Sequence, residues 1–122
     1  MILWDQIYNQ FQLHKALKIY GQSYIKHRKN IRQALHYYTH KKNYSIALWG
    51  AGLKGKAFLS VIDPKQQFIK YVYDIDEKKI GKRMPTGHLV VDYRNKANQD
   101  IQVVVITNNN FENEIAFQLE EL

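Results

Sequence analysis

The chain has 122 residues, 45% of them hydrophobic and 24% charged, and a formal net charge of +7. This composition suits one soluble domain with its own core. It contains no cysteine, which excludes disulfides and thiolate-ligated metals and agrees with a cytoplasmic location. No apolar run approaches the ~18 residues of a membrane span, and the spaced apolar residues of MILWDQIYNQFQLHK do not form a secretory signal.

The charge is unevenly placed. Residues 1–44 carry eight Lys/Arg against one acid, Asp5, whereas the remainder is balanced at ten against ten. A basic segment of this kind suits an acidic surface or nucleic acid, and equally a solvated helix face. Nucleic acid is the less expected partner.

Residues 1–43 are expected to form an N-terminal basic helical segment. Apolar residues at Ile7, Phe11, Leu13, Leu17 and Tyr20, and then at Tyr24, Ile31, Leu35 and Tyr38, fall at helical steps. The spacing predicts helices over ~3–20 and ~22–41, or one long helix with a weak point at Gly21. Lys29, Arg32 and Gln33 lie off the second stripe. That stripe needs cover, from the rest of the chain, from a second copy in a homodimer through residues 1–43, or from another domain.

From residue 44 to residue 122 the pattern is that of a Rossmann-like α/β domain, with a parallel sheet of about four strands and flanking helices. SIALW is a first strand, and a helical pattern through Phe58, Val61 and Ile62 ends at Asp63-Pro64. FIKYVYD is the next strand, EKKIGKRMPTGH a loop and LVV a short strand. IQVVVIT reads as a strand buried on both faces. The closing NNNFENEIAFQLEEL predicts a helix capped by Asn109 or Asn110, with Phe111, Ile115 and Leu119 inward. Another buried strand is expected beyond it, so the chain reads either as truncated there or as a four-strand half of a larger sheet.

GAGLKG, with Gly50, Gly52 and Gly55, matches a dinucleotide-type turn between strand and helix. Gly50 would permit the turn, Gly52 the close approach of a ligand, and Gly55 the packing of helix on sheet. Backbone N–H groups at the helix start, with Lys54 and Lys56 nearby, favour an anion. Asp74 lies nineteen residues after Gly55, where an acid accepts from ribose hydroxyls, and Asp76 competes for that role. Asp74 would disfavour a 2′-phosphate, although Lys78 and Lys79 blur that. The same glycines also serve a turn that binds nothing.

Other chemistry is missing. The turn lacks the spacing and the Lys-Ser/Thr ending of a Walker loop, and neither G-x-S-x-G nor H-E-x-x-H occurs. Tyr71 and Tyr73 lack the Tyr-x-x-x-Lys spacing of short-chain reductases. His88, expected in a loop at the carboxyl end of the sheet, is positioned to polarise a substrate group. As a surface loop residue it would do nothing.

The segments ALWGAGLKGKAFL, KYVYDIDEKKIGKRMPTGHLVV and IQVVVITNNNFENEIAFQL together resemble the C-terminal domain of S-adenosylmethionine-dependent sugar C-methyltransferases. Gly50, Ala51, Lys54 and Gly55 fall on that family's glycine turn. Asp74, Lys79, Gly81, Pro85, Gly87 and His88 fall on its aspartate, lysine-glycine and Pro-Gly-Thr-His-like segment, with Thr86 and Gly87 in swapped order. The basic helix YIKHRKNIRQALHYY stands where the family has a long helix. The resemblance spans roughly residues 12 to 122. It implies a domain that holds a nucleotide-linked sugar through Gly50, Ala51, Gly52, Lys54, Gly55, Asp74 and His88, without transferring the methyl group. The family's zinc cysteines and methyltransferase core are not in this sequence, so S-adenosylmethionine would enter only through a partner domain. The N-terminal lobe of sugar O-acetyltransferases is similar in its glycine turn and points to the same ligand class. Two other readings stay open, an NAD-binding enzyme or sensor and a helix-mediated interaction module.

Overall fold

The computed structural model describes residues 15–107. One inner strand of its sheet is β5 (Val103–Ile106), a run of β-branched residues buried on both faces, as the apolar pattern predicts. Beside it lies β2 (Ile46–Trp49), also buried throughout, followed outward by β3 (Ile69–Tyr73) and β4 (Leu89–Val91). On the other side of β5 lies β1 (Lys15–Lys18). The five strands form one sheet in the order β1-β5-β2-β3-β4, and every pair is parallel.

Two expectations are corrected here. Lys15–Lys18, predicted as the end of a helix, is a strand, so among the described residues the sheet has five strands rather than four, with this one at its edge. The steps from Leu13 to Leu17 to Tyr20 imitate a helical stripe, and four residues are too few to display a two-residue alternation. What makes the strand is a ladder to Val103–Ile106, far away in sequence. β1 takes the slot beside β5 on the side away from β2. The predicted helix over residues 3–14 and the closing helix lie outside the described residues.

One face of the sheet is covered by α1 (Ser23–Lys26), α2 (Arg28–His36) and α3 (Leu53–Ile62). Tyr24 and Leu35 of the predicted stripe are buried among Ile46, Leu48, Phe58, Leu59 and Val105, with Ile31 and Tyr38 packed against them. Burying a side chain such as Leu35 completely contributes roughly 1.5–3 kcal/mol, so the stripe is spent on this chain's own sheet. The expected 22–41 helix is interrupted at His27 (φ −103°, ψ 24°) and closes in a π-helical turn, Tyr37–Lys41. Thr39 Oγ1 donates back to the Leu35 carbonyl at 2.9 Å, a bond that competes with the helix ladder.

The opposite face carries Trp49, Tyr73, Tyr93, Ile101, Val104 and Ile106. The Trp49 and Tyr93 rings lie 4.7 Å apart, and the Tyr73 ring meets Trp49 edge-on at 6.0 Å. Part of the stretch expected as loop is instead paired. The N–H of Gly81 donates to Val90 O and that of Val90 to Lys82 O, and Arg83 bridges Leu89 antiparallel. This hairpin covers the outer edge of β4, where bare backbone would invite another strand.

Candidate functional site at the glycine turn

Leaving β2, the chain runs to β3 and β4 on one side and later returns to β5 on the other. The carboxyl end of β2 is therefore the switch point of the sheet, where ligands of open α/β sheets bind. The glycine turn stands there. Gly50 adopts φ +105°, which only glycine tolerates well, and its N–H donates to Tyr73 O at 2.8 Å. Gly52 caps α3 in extended backbone, and Lys56 N–H donates to its carbonyl at 3.0 Å.

The three glycines differ in what surrounds them. A Cβ at Gly55 would stand 2.3 Å from Gly50 O, so this glycine brings helix against turn as predicted. A Cβ at Gly52 would meet nothing within 4 Å among the described residues, and its φ of −81° suits any residue. Internal packing thus accounts for Gly55 but leaves the Gly52 backbone approachable.

Asp74 follows β3 and is tied to the turn. Ala51 N–H donates to its Oδ2 at 2.9 Å, and Asp76 N–H donates to its Oδ1 at 2.9 Å. The carboxylate expected on a ribose is thus anchored by backbone, and Ala51's amide is already taken. Asp76 in turn accepts from Lys78 N–H at 2.9 Å. Lys54 and Lys56 are exposed on the first turn of α3. Asp74→Ala should lower stability by about 1–3 kcal/mol, since it removes a charge-assisted bond to a part-buried amide. Urea denaturation would measure this, and an unchanged midpoint would mean that the bond holds nothing.

Tyr73, next to Asp74, donates its hydroxyl to the Asn98 carbonyl. Burial, reinforced by Asp100 and Tyr71, pushes its pKa above the ordinary tyrosine range, so it stays protonated at neutral pH. It is a structural phenol rather than a base.

His88 is not part of this site. It immediately precedes β4 and so lies at the amino end of the sheet, opposite the glycine turn, rather than at the carboxyl end as expected. Its side chain is fully buried, with Nε2 2.9 Å from Asp63 Oδ2 and Nδ1 2.6 Å from Thr86 Oγ1. A carboxylate can only accept, so Nε2 donates where Asp63 is a carboxylate, and in a neutral imidazole Nδ1 then accepts from the Thr86 hydroxyl. Asp63 also accepts the N–H groups of Gln67, Phe68 and Ile69. The Asp-Pro dipeptide signals a helix stop; the three amides that Asp63 accepts follow four to six residues later, whereas His88 arrives from 25 residues on, just before β4.

Among the described residues no group of three or more His, Asp or Glu is placed to hold a metal, and no helix is long and apolar enough to cross a membrane. Fold and site define a Rossmann-like α/β domain whose switch point presents an anchored carboxylate beside an approachable glycine. The chain belongs to the family of C-methyltransferase C-terminal domains, whose profile matches residues 7–122. No curated protein and no solved structure shows significant similarity to it. The family match agrees with the resemblance read from the three sequence segments.

Proposed function

We propose that the chain is a non-catalytic domain of a sugar-modifying methyltransferase, holding a nucleotide-linked sugar at the Gly50–Gly55 turn or scaffolding the catalytic part. The observation that carries this reading is the pairing of the open Gly52 backbone with the anchored Asp74 at the switch point. An acceptor-only carboxylate held by two amides recognises hydroxyls and repels phosphate close by. The start of α3, with its dipole and Lys54, suits the phosphate end of the same ligand. A ligand that carries both hydroxyls and a diphosphate fits the two halves. S-adenosylmethionine and the methyl transfer belong to a partner domain, and the cysteine-free chain suits the cytoplasm.

Calorimetry with a nucleotide-linked sugar, NAD and S-adenosylmethionine tests this. The nucleotide-linked sugar should bind, and Gly52→Val should abolish binding with the melting temperature unchanged, because its side chain enters open space. Binding of NAD alone would favour the dinucleotide reading, with Asp74 on the ribose. Binding of none would leave the scaffold role.

A further inference from the structure

The outward side of α1, α2 and the π-helical turn serves neither the core nor the glycine turn. From Gln22 to Tyr44 the sequence holds six Lys/Arg and no acid. A groove of about 570 Å³ lies on it, with Arg28, Lys29, Arg32 and Lys41 around Tyr37 and Phe68. Among the described residues none of these four cations is in an ion pair. Arg32 donates to Gln67 Oε1 at 3.2 Å, and its guanidinium lies 5.6 Å from the centre of the Phe68 ring. Tyr37 is 46% exposed, with Lys42 Nζ 5.9 Å from its ring centre.

Like charges gathered without carboxylates repel one another, and an anionic occupant relieves that repulsion. The cations are spread from Arg28 to Lys41, roughly 20 Å of helical rise, whereas a lone phosphate requires donors converging on one point. Bases of a single strand require several open aromatic faces. Here Phe68 is buried and already faced by Arg32 and His36, which leaves Tyr37. Exposed tyrosine beside arginine, over an apolar floor, is the composition of a protein interface.

We propose that this groove docks an acidic protein segment, with carboxylates against Arg28, Lys29, Arg32 and Lys41 and an intervening apolar side chain against the exposed Tyr37. The test is fluorescence anisotropy of the whole chain with a short labelled peptide of glutamates carrying Phe or Leu at every third position. The peptide should bind, more weakly as salt rises. Arg28→Glu and Lys29→Glu should each weaken binding about tenfold, and Tyr37→Ala about fivefold. Lys65→Glu and Lys82→Glu, the same charge change at exposed positions outside the groove, should leave binding within about twofold. Arg28 and Lys29 are exposed, so their variants should melt like the parent. The proposal is overturned if the peptide does not bind, if the control reversals weaken it equally, or if oligothymidylate or pyrophosphate binds more tightly at the same residues. A dimer dissolved by Arg28→Glu would overturn it too, by giving the groove to a second copy.

Discussion

Gly55→Ala should lower the melting temperature by roughly 6–10 °C, while Gly52→Ala, three residues earlier, should leave it nearly unchanged. The added Cβ at Gly55 would lie 2.3 Å from Gly50 O, a backbone atom that cannot rotate away. Either α3 lifts off the sheet or the turn deforms, and overpacking of this kind costs about 3 kcal/mol. Alanine's better helix propensity returns about 1 kcal/mol, leaving a net loss of about 2 kcal/mol. At Gly52 the same methyl group enters open space at an ordinary φ. Thermal denaturation of both variants checks the pair. Equal melting temperatures would mean that Gly55 is not what brings helix to turn, and the division between a packing glycine and an approachable one would fail.

Asp63→Ala is expected to be the most damaging single truncation, at about 4–5 kcal/mol, near the upper end for point substitutions. Asp63 is 1% exposed and receives three backbone N–H groups as well as His88 Nε2. Removing it strands the buried donors of Phe68, Ile69 and His88 away from water, at about 1–3 kcal/mol for each unsatisfied group, while the Gln67 N–H is only part-buried. Asp63→Asn keeps one acceptor and turns an NH2 toward a donor, so it should fall between alanine and the parent. If the alanine variant does not fold, the asparagine variant under urea still gives the answer. Hydrogen exchange adds a local signature, because the amides of Gln67, Phe68 and Ile69 should lose protection before those of β5. Parent-like stability in both variants would remove Asp63 as the hub. The consequence reaches the groove as well, since Gln67 and Phe68 are the residues that hold Arg32.

Legibility followed the distance over which each interaction acts. The glycine turn, the Asp-Pro stop, the buried β5 and the inward stripe of Tyr24, Ile31, Leu35 and Tyr38 were readable because backbone geometry and local periodicity express them over a few neighbours. The family could be read from three motif segments in order. The basic character of residues 1–44 was equally plain, but not that its cations would line one groove with Phe68, which arrives from the start of β3.

What folding alone settled was which distant groups meet. Lys15–Lys18 became a strand because Val103–Ile106 offered it a ladder, and no local pattern encodes that offer. His88 went to the amino end of the sheet because it enters β4, and its partner Asp63 comes from the end of α3. Asp74 turned onto Ala51 because adjacent parallel strands bring their carboxyl ends together. Residue type and spacing declare which chemistry a chain carries, through forces that decay within a turn or two. Pairing across the sheet assigns each group its neighbour, and with it the difference between a ligand contact and an internal bond.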